Sequence, residues 1–214
     1  MFVPSQYRSP DSSWMVELIR KNPLALMASN GGTAATPFAT HLPVIPDPEM
    51  DGEWTADLSG SRLWGHMNRE NPHWAALETG SSVLLTFTGP HAYVSPTVYE
   101  KTPAAPTWNF TAVHVRGVVE KISSLDDTLG VVQATARAFE AEFGADWDMT
   151  ASLEYFRRIV PGVGAFRVSV VEADGMFKLS QEQKPEVRDR VREAFSGCAS
   201  LRHRETAELM RRLP

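Results

Sequence analysis

Hydrophobic positions along this chain alternate more often than they recur every third or fourth residue. The cleanest case is 108–120, where Phe110, Ala112, His114 and Arg116 face one way and Thr111, Val113, Val115 and Gly117 the other. That is the period of a strand. Runs at 24–29, 38–45, 53–58, 83–88, 92–95 and 163–172 carry apolar, β-branched or aromatic residues between turn signals. Asn30-Gly31-Gly32 reads as the hairpin turn between the first two runs. Pro46-Asp47-Pro48 and Asp51-Gly52 read as a loop, Gly89-Pro90 as a break, and Ala173-Asp174-Gly175 as a turn before a last run at 176–179.

Helical periodicity is confined to a few places. In 9–21, Trp14, Leu18 and Ile19 share a face, Ser9 or Asp11 can cap the start, and Pro23 ends it. Ser124-Leu125-Asp126-Asp127 resembles a capping box, opening a helix whose apolar stripe is Val131, Val132, Thr135, Ala138, Phe139 and Phe143. Residues 61–77 read as a loop running into a short helix, and 185–195 and 203–213 as charged amphipathic helices. Short strands at regular spacing with helices at the start, middle and end predict a mainly β, α+β fold, a small barrel with peripheral helices. There is no βα alternation, no G-x-G-x-x-G and no P-loop, so the commonest nucleotide-binding architectures are excluded.

Composition narrows the function classes. A chain of 214 residues, 43% apolar, can build one sizeable core. A net charge of −5 offers no basic footprint, so no nucleic acid is expected. Cys198 stands alone, which removes an intramolecular disulfide or a cysteine metal cluster. Met1-Phe2-Val3-Pro4 lacks signal-peptide features and no run approaches a membrane span, so the expectation is a cytoplasmic protein with no membrane partner.

Candidate chemistry gathers in two stretches, 65–74 and 89–101. His66 and His73 lie seven apart and would share a face if the segment were helical, although Pro72 allows a helix to begin or kink there. Neutral imidazole suits heme iron and other transition metals; a hydrogen-bonding histidine is the ordinary alternative. His41 and His114 sit within strands and read as satisfied, half-buried histidines. His91, Tyr93 and Tyr99 offer flat rings with polar tips, which stack on cofactors or simply fill cores. Arg62, Arg69 and Lys101 can meet a phosphate or a carboxylate, or remain solvated charges. No H-E-x-x-H, no G-x-S-x-G and no activated setting for Cys198 is present, and Arg202-His203-Arg204 reads as a solvated helix face.

Several of these motifs recur together, in order, in one known family. Ala39-Thr40-His41-Leu42-Pro43, Gly65-His66, Asn71-Pro72-x-Trp74, Gly89-Pro90-His91-Ala92-Tyr93-Val94-Ser95, Pro106-Thr107-Trp108-Asn109-Phe110 and Lys178-Leu179-Ser180-Gln181 resemble the PaiB family, often labelled FMN-binding negative transcriptional regulators. The resemblance runs from residue 1 to about 183. It implies an FMN-binding split β-barrel, built as a homodimer with the cofactor at the subunit interface. It also implies a cofactor-binding domain over 1–183, with 184–214 as a helical segment packed on it.

Two departures matter. The family commonly has Asn-Arg where this chain has Glu182-Gln183, and commonly Gln at the position of His73. With Asn71-Pro72-His73-Trp74 and 174–183 they resemble the piperazate synthase branch, enzymes of natural product biosynthesis that bind heme b in place of FMN. The resemblance then implies N–N bond formation in a side-chain N-hydroxylated L-ornithine, with a small amino acid as substrate. The iron ligand would be His66 or His73. Arg69, Lys101 and Trp108 would join the cofactor-binding residues, and His91, Tyr93, Tyr99 and Glu182 the catalytic ones. A PaiB-like, FMN-binding regulatory protein without turnover is the alternative, and a heme-degrading split barrel a third reading.

Overall fold

Alternating burial drives the strands of the chain together. The computed structural model describes residues 1–11, 13–31, 36–50 and 58–214. Its strands are β1 (Leu24–Ser29), β2 (Phe38–Pro46), β3 (Arg62–Asn68), β4 (Ser82–Val94), β5 (Thr107–Lys121) and β6 (Val163–Lys178). They close into a barrel in the order β1-β2-β3-β6-β5-β4. Registers are antiparallel, from Leu24↔Pro43 to Ser29↔Phe38 between β1 and β2, and from Arg62↔Ser169 to Asn68↔Val163 between β3 and β6. In β5, Asn109, Thr111, Val113, Val115 and Val119 are buried at every second position, as the sequence pattern requires.

Three expectations needed correction. Residues 62–68 form strand β3, not a loop; the helix that follows, α2 (Pro72–Ala76), starts at Pro72 and is capped by the Asn71 side chain accepting from the His73 N–H. The strand signal was masked by Gly65, which sits so close to Phe166 that an added Cβ would fall 2.6 Å from its ring. Gly89-Pro90 does not break β4. Gly89 lets the backbone approach Thr111, whose hydroxyl donates to the Pro90 carbonyl at 3.2 Å. Nor do residues 173–175 turn, since β6 runs straight through them; Gly175 lies against the Met15 side chain instead. The expected strand at 53–58 lies, apart from the buried Leu58, outside the described residues. So do Gly32, Asp51 and Gly52 of the two expected turns.

The contacts divide the chain into two compact units. The first comprises Met1–Leu18, Thr88–Val113 and Asp174–Pro214, the second Ile19–Phe87 and His114–Ala173. Helix α1 (Ser13–Lys21) begins after Asp11, whose carboxylate accepts from the Ser13 N–H at 2.8 Å. In the second unit α3 (Leu125–Phe143), capped by Ser124, lays Val131 against Ile45, Trp64, Ile122 and Ala165. A short helix without a sequence signal, α4 (Leu153–Ile159), follows it. In the first unit α5 (Pro185–Ser196) and α6 (Leu201–Arg212) bury Val187, Val191, Phe195, Ala207 and Met210. Arg190 of α5 donates to the Val98 and Tyr99 carbonyls at 3.2 and 2.8 Å, fixing that loop.

Candidate functional site

Strand β3 and helix α2 separate the two histidines that the sequence placed together. His66 lies on β3, paired with Ala165, and His73 lies one residue into α2; they share no helix face. Their surroundings differ as much. His73 is 1% exposed. Its Nε2 meets Ser29 Oγ and its Nδ1 meets Thr40 Oγ1, both at 2.9 Å, and its ring stacks on Phe38. Both nitrogens are spent on hydroxyls, so neither is open to a metal unless Ser29 or Thr40 is displaced.

His66 is half-buried, and no described residue hydrogen-bonds its ring; its Nδ1 is buried without a partner. Burial holds its pKa below the usual histidine value, which keeps the imidazole neutral and its lone pair available. The ring lines a pocket of about 560 Å3 with Thr40, His41, Asn68, Asn71 and Ile159. His41, expected as a satisfied half-buried residue, is exposed and forms part of this wall. Among the described residues no Lys or Arg lines the pocket. Arg69 is engaged beside it: its Nε donates to the Val163 carbonyl at 2.7 Å and its guanidinium lies 6.0 Å from the Trp74 ring. Arg62 pairs with the buried carboxylate of Asp47 at 3.0 Å.

The first unit gathers the other candidates around two groups. His91 is one: its Nδ1 lies 3.1 Å from the Gly89 carbonyl and its Nε2 2.9 Å from the Arg202 guanidinium, which fixes Nδ1–H as the donor and Nε2 as the acceptor. Trp108 packs near both His91 and Tyr93, and Trp108 and Tyr93 are exposed. The other group is a pocket of about 350 Å3 bounded by Tyr99, Lys101, Thr107, Glu182 and Gln183. Tyr99 is buried beneath it, and burial first, then the Glu182 charge, raises its pKa. Tyr7 is shifted up by burial as well, and the Glu182 charge adds to the rise. Sequence reasoning missed Tyr7 because nothing local links a residue near the start of the chain to Glu182. It also missed Lys178, whose Nζ donates to Thr107 Oγ1 at 2.5 Å, and Arg202, read as solvated although it engages His91.

Among the described residues no cluster of three or more His, Cys, Asp or Glu can hold a metal ion, and no helix is long and apolar enough to cross a membrane.

The closed six-stranded barrel and its accessory helices define the split-barrel fold of FMN-binding proteins. Residues 1–172 match the family described as "Putative FMN-binding domain", and the chain belongs to this PaiB-like family. A curated relative, "Protease synthase and sporulation protein PAI 2" of Bacillus subtilis, is 26% identical over 98% of this chain and 96% of its own length. An uncharacterised protein of Emericella nidulans is 25% identical over 94% of this chain and 92% of its own. Among solved structures, the "FAD and Heme binding protein" of Mycobacterium smegmatis is similar with a TM-score of 0.59 and 15% identity, over 86% of this chain and 78% of that one. A "putative 5-nitroimidazole antibiotic resistance protein" of Bacteroides thetaiotaomicron gives a TM-score of 0.53 at 15% identity, over 78% of this chain and 84% of that one.

Proposed function

We propose that this protein is a heme-dependent cyclase of the piperazate synthase type, with His66 as the protein's ligand to the iron. One observation carries the heme reading: His66 is a neutral imidazole, unspent on any described residue, in the wall of a pocket without Lys or Arg. An unspent imidazole lone pair in such a wall suits a group that carries iron, whereas a flavin has no metal for it to ligate. The volume lies within the roughly 300–1,000 Å3 common for cofactor sites. The family's description and the flavin- and heme-binding split barrel from Mycobacterium smegmatis both support a flat cofactor.

The proposed substrate is L-ornithine hydroxylated on its side-chain nitrogen. The α-nitrogen lone pair forms the N–N bond, the N–O bond breaks, and the oxygen leaves with two protons as water. Bound heme would supply an open iron position able to polarise the N–O bond. His66 would hold that group through its free lone pair. The conversion further needs a group to accept the α-amine proton and fixed charges to keep the amino acid folded.

The test is turnover: purified protein is incubated with the hydroxylated ornithine and the product analysed by mass spectrometry. The reading expects loss of one water and a cyclic hydrazine, and a product that forms equally with protein carrying His66→Ala contradicts it. A second reading, an FMN-binding regulatory protein without turnover, is favoured by the family's description. It expects a yellow protein and unchanged substrate.

A further inference from the structure

In the first unit, opposite charges line one pocket without neutralising each other. Among the described residues neither Lys101 nor Glu182 has an ion-pair partner within 4.0 Å. Gln183 stands between them: its Oε1 accepts from Lys101 Nζ at 3.4 Å, and its Nε2 donates to Glu182 Oε1 at 3.3 Å. A neutral amide thus stands between a cation and an anion. Lys178 donates to Thr107, one of the residues that bound the pocket. Pro103, Ala104, Ala105 and Pro106 supply an apolar side to the same pocket.

We propose that this pocket binds a free zwitterionic amino acid, with its carboxylate on Lys101, its ammonium on Glu182 and its aliphatic chain along the proline–alanine wall. Charge-assisted hydrogen bonds of this kind are the strong ones, and two separated opposite charges select a zwitterion over a simple anion or cation. As the identity of a substrate this rests on the amino-acid reaction proposed above; as a binding site it stands on residues of the first unit alone.

Calorimetric titration of the full-length protein tests it, with L-ornithine, L-ornithine methyl ester and pentanoate as probes. Lys101→Met and Glu182→Gln should each weaken L-ornithine by about tenfold or more. Lys101→Met should leave the ester, which lacks the carboxylate, unchanged, and Glu182→Gln should leave pentanoate, which lacks the ammonium, unchanged. Both variants binding L-ornithine within about twofold of the parent protein, or the ester binding the parent as tightly as the free acid, overturns the site. Protein without a heme spectrum that shows the crossed pattern keeps this site and loses the heme reading. A heme spectrum without the pattern does the reverse.

Discussion

His73 spends both ring nitrogens on hydroxyls, while His66 spends neither on a described residue. Removing the first should therefore be felt in stability. His73→Ala leaves Ser29 and Thr40 without their ring partner and opens a cavity, at a cost of about 2–4 kcal/mol. His73→Gln, the residue common here in the resembled family, offers both a donor and an acceptor and should cost no more than about 1 kcal/mol. Urea unfolding midpoints check both, and equal losses would remove the hydrogen-bonding account. Tyr7 and Tyr99 give a second expectation. Burial raises both above the ordinary 10.0. The unfolded chain therefore releases these protons first, so their contribution is intact below about pH 10 and is lost as pH rises through the folded values. Midpoints measured at about pH 9 and about pH 11 should fall, and Tyr7→Phe should make the fall shallower. A fall of the same size in the variant assigns the alkaline limb elsewhere.

The elements are held by close approaches as much as by apolar area. Gly65→Ala would force a methyl into Phe166 and should cost about 1–3 kcal/mol. Ser124→Ala removes the side chain that accepts the Asp127 N–H at the start of α3, worth about 1 kcal/mol. Thermal melts of the two variants distinguish a packing constraint inside β3 from a cap, and a neutral Gly65→Ala would contradict the tight approach. The same glycines explain what could be read from the sequence. Strand β5 and helix α3 were legible because their periods run unbroken and Ser124 marks a start. Strand β3 was not, because Gly65 interrupts its side-chain pattern, and α4 carried no cap or stripe to announce it. Gly89-Pro90 and Asp174-Gly175 spell turns locally, but Thr111, Met15 and the Met1 amine, 2.6 Å from the Asp174 carboxylate, give them partners along extended strands. His66 was legible as a candidate. The charge separation across Gln183, and the reach of Arg202 to His91, depend on tertiary placement that no local spacing encodes.

At the scale of the whole molecule the fold and the family are firm: a six-stranded split barrel whose first 172 residues match the FMN-binding family. The proposed step beyond the family is the exchange of flavin for heme at a histidine free to bind it. The absorption spectrum of the purified protein, taken beside that of His66→Ala and His73→Gln, tests this most directly. The account expects a Soret band in the parent protein and in His73→Gln, and its loss in His66→Ala while the fold persists by circular dichroism. A flavin spectrum in the parent protein, or a Soret band that survives His66→Ala, would contradict it.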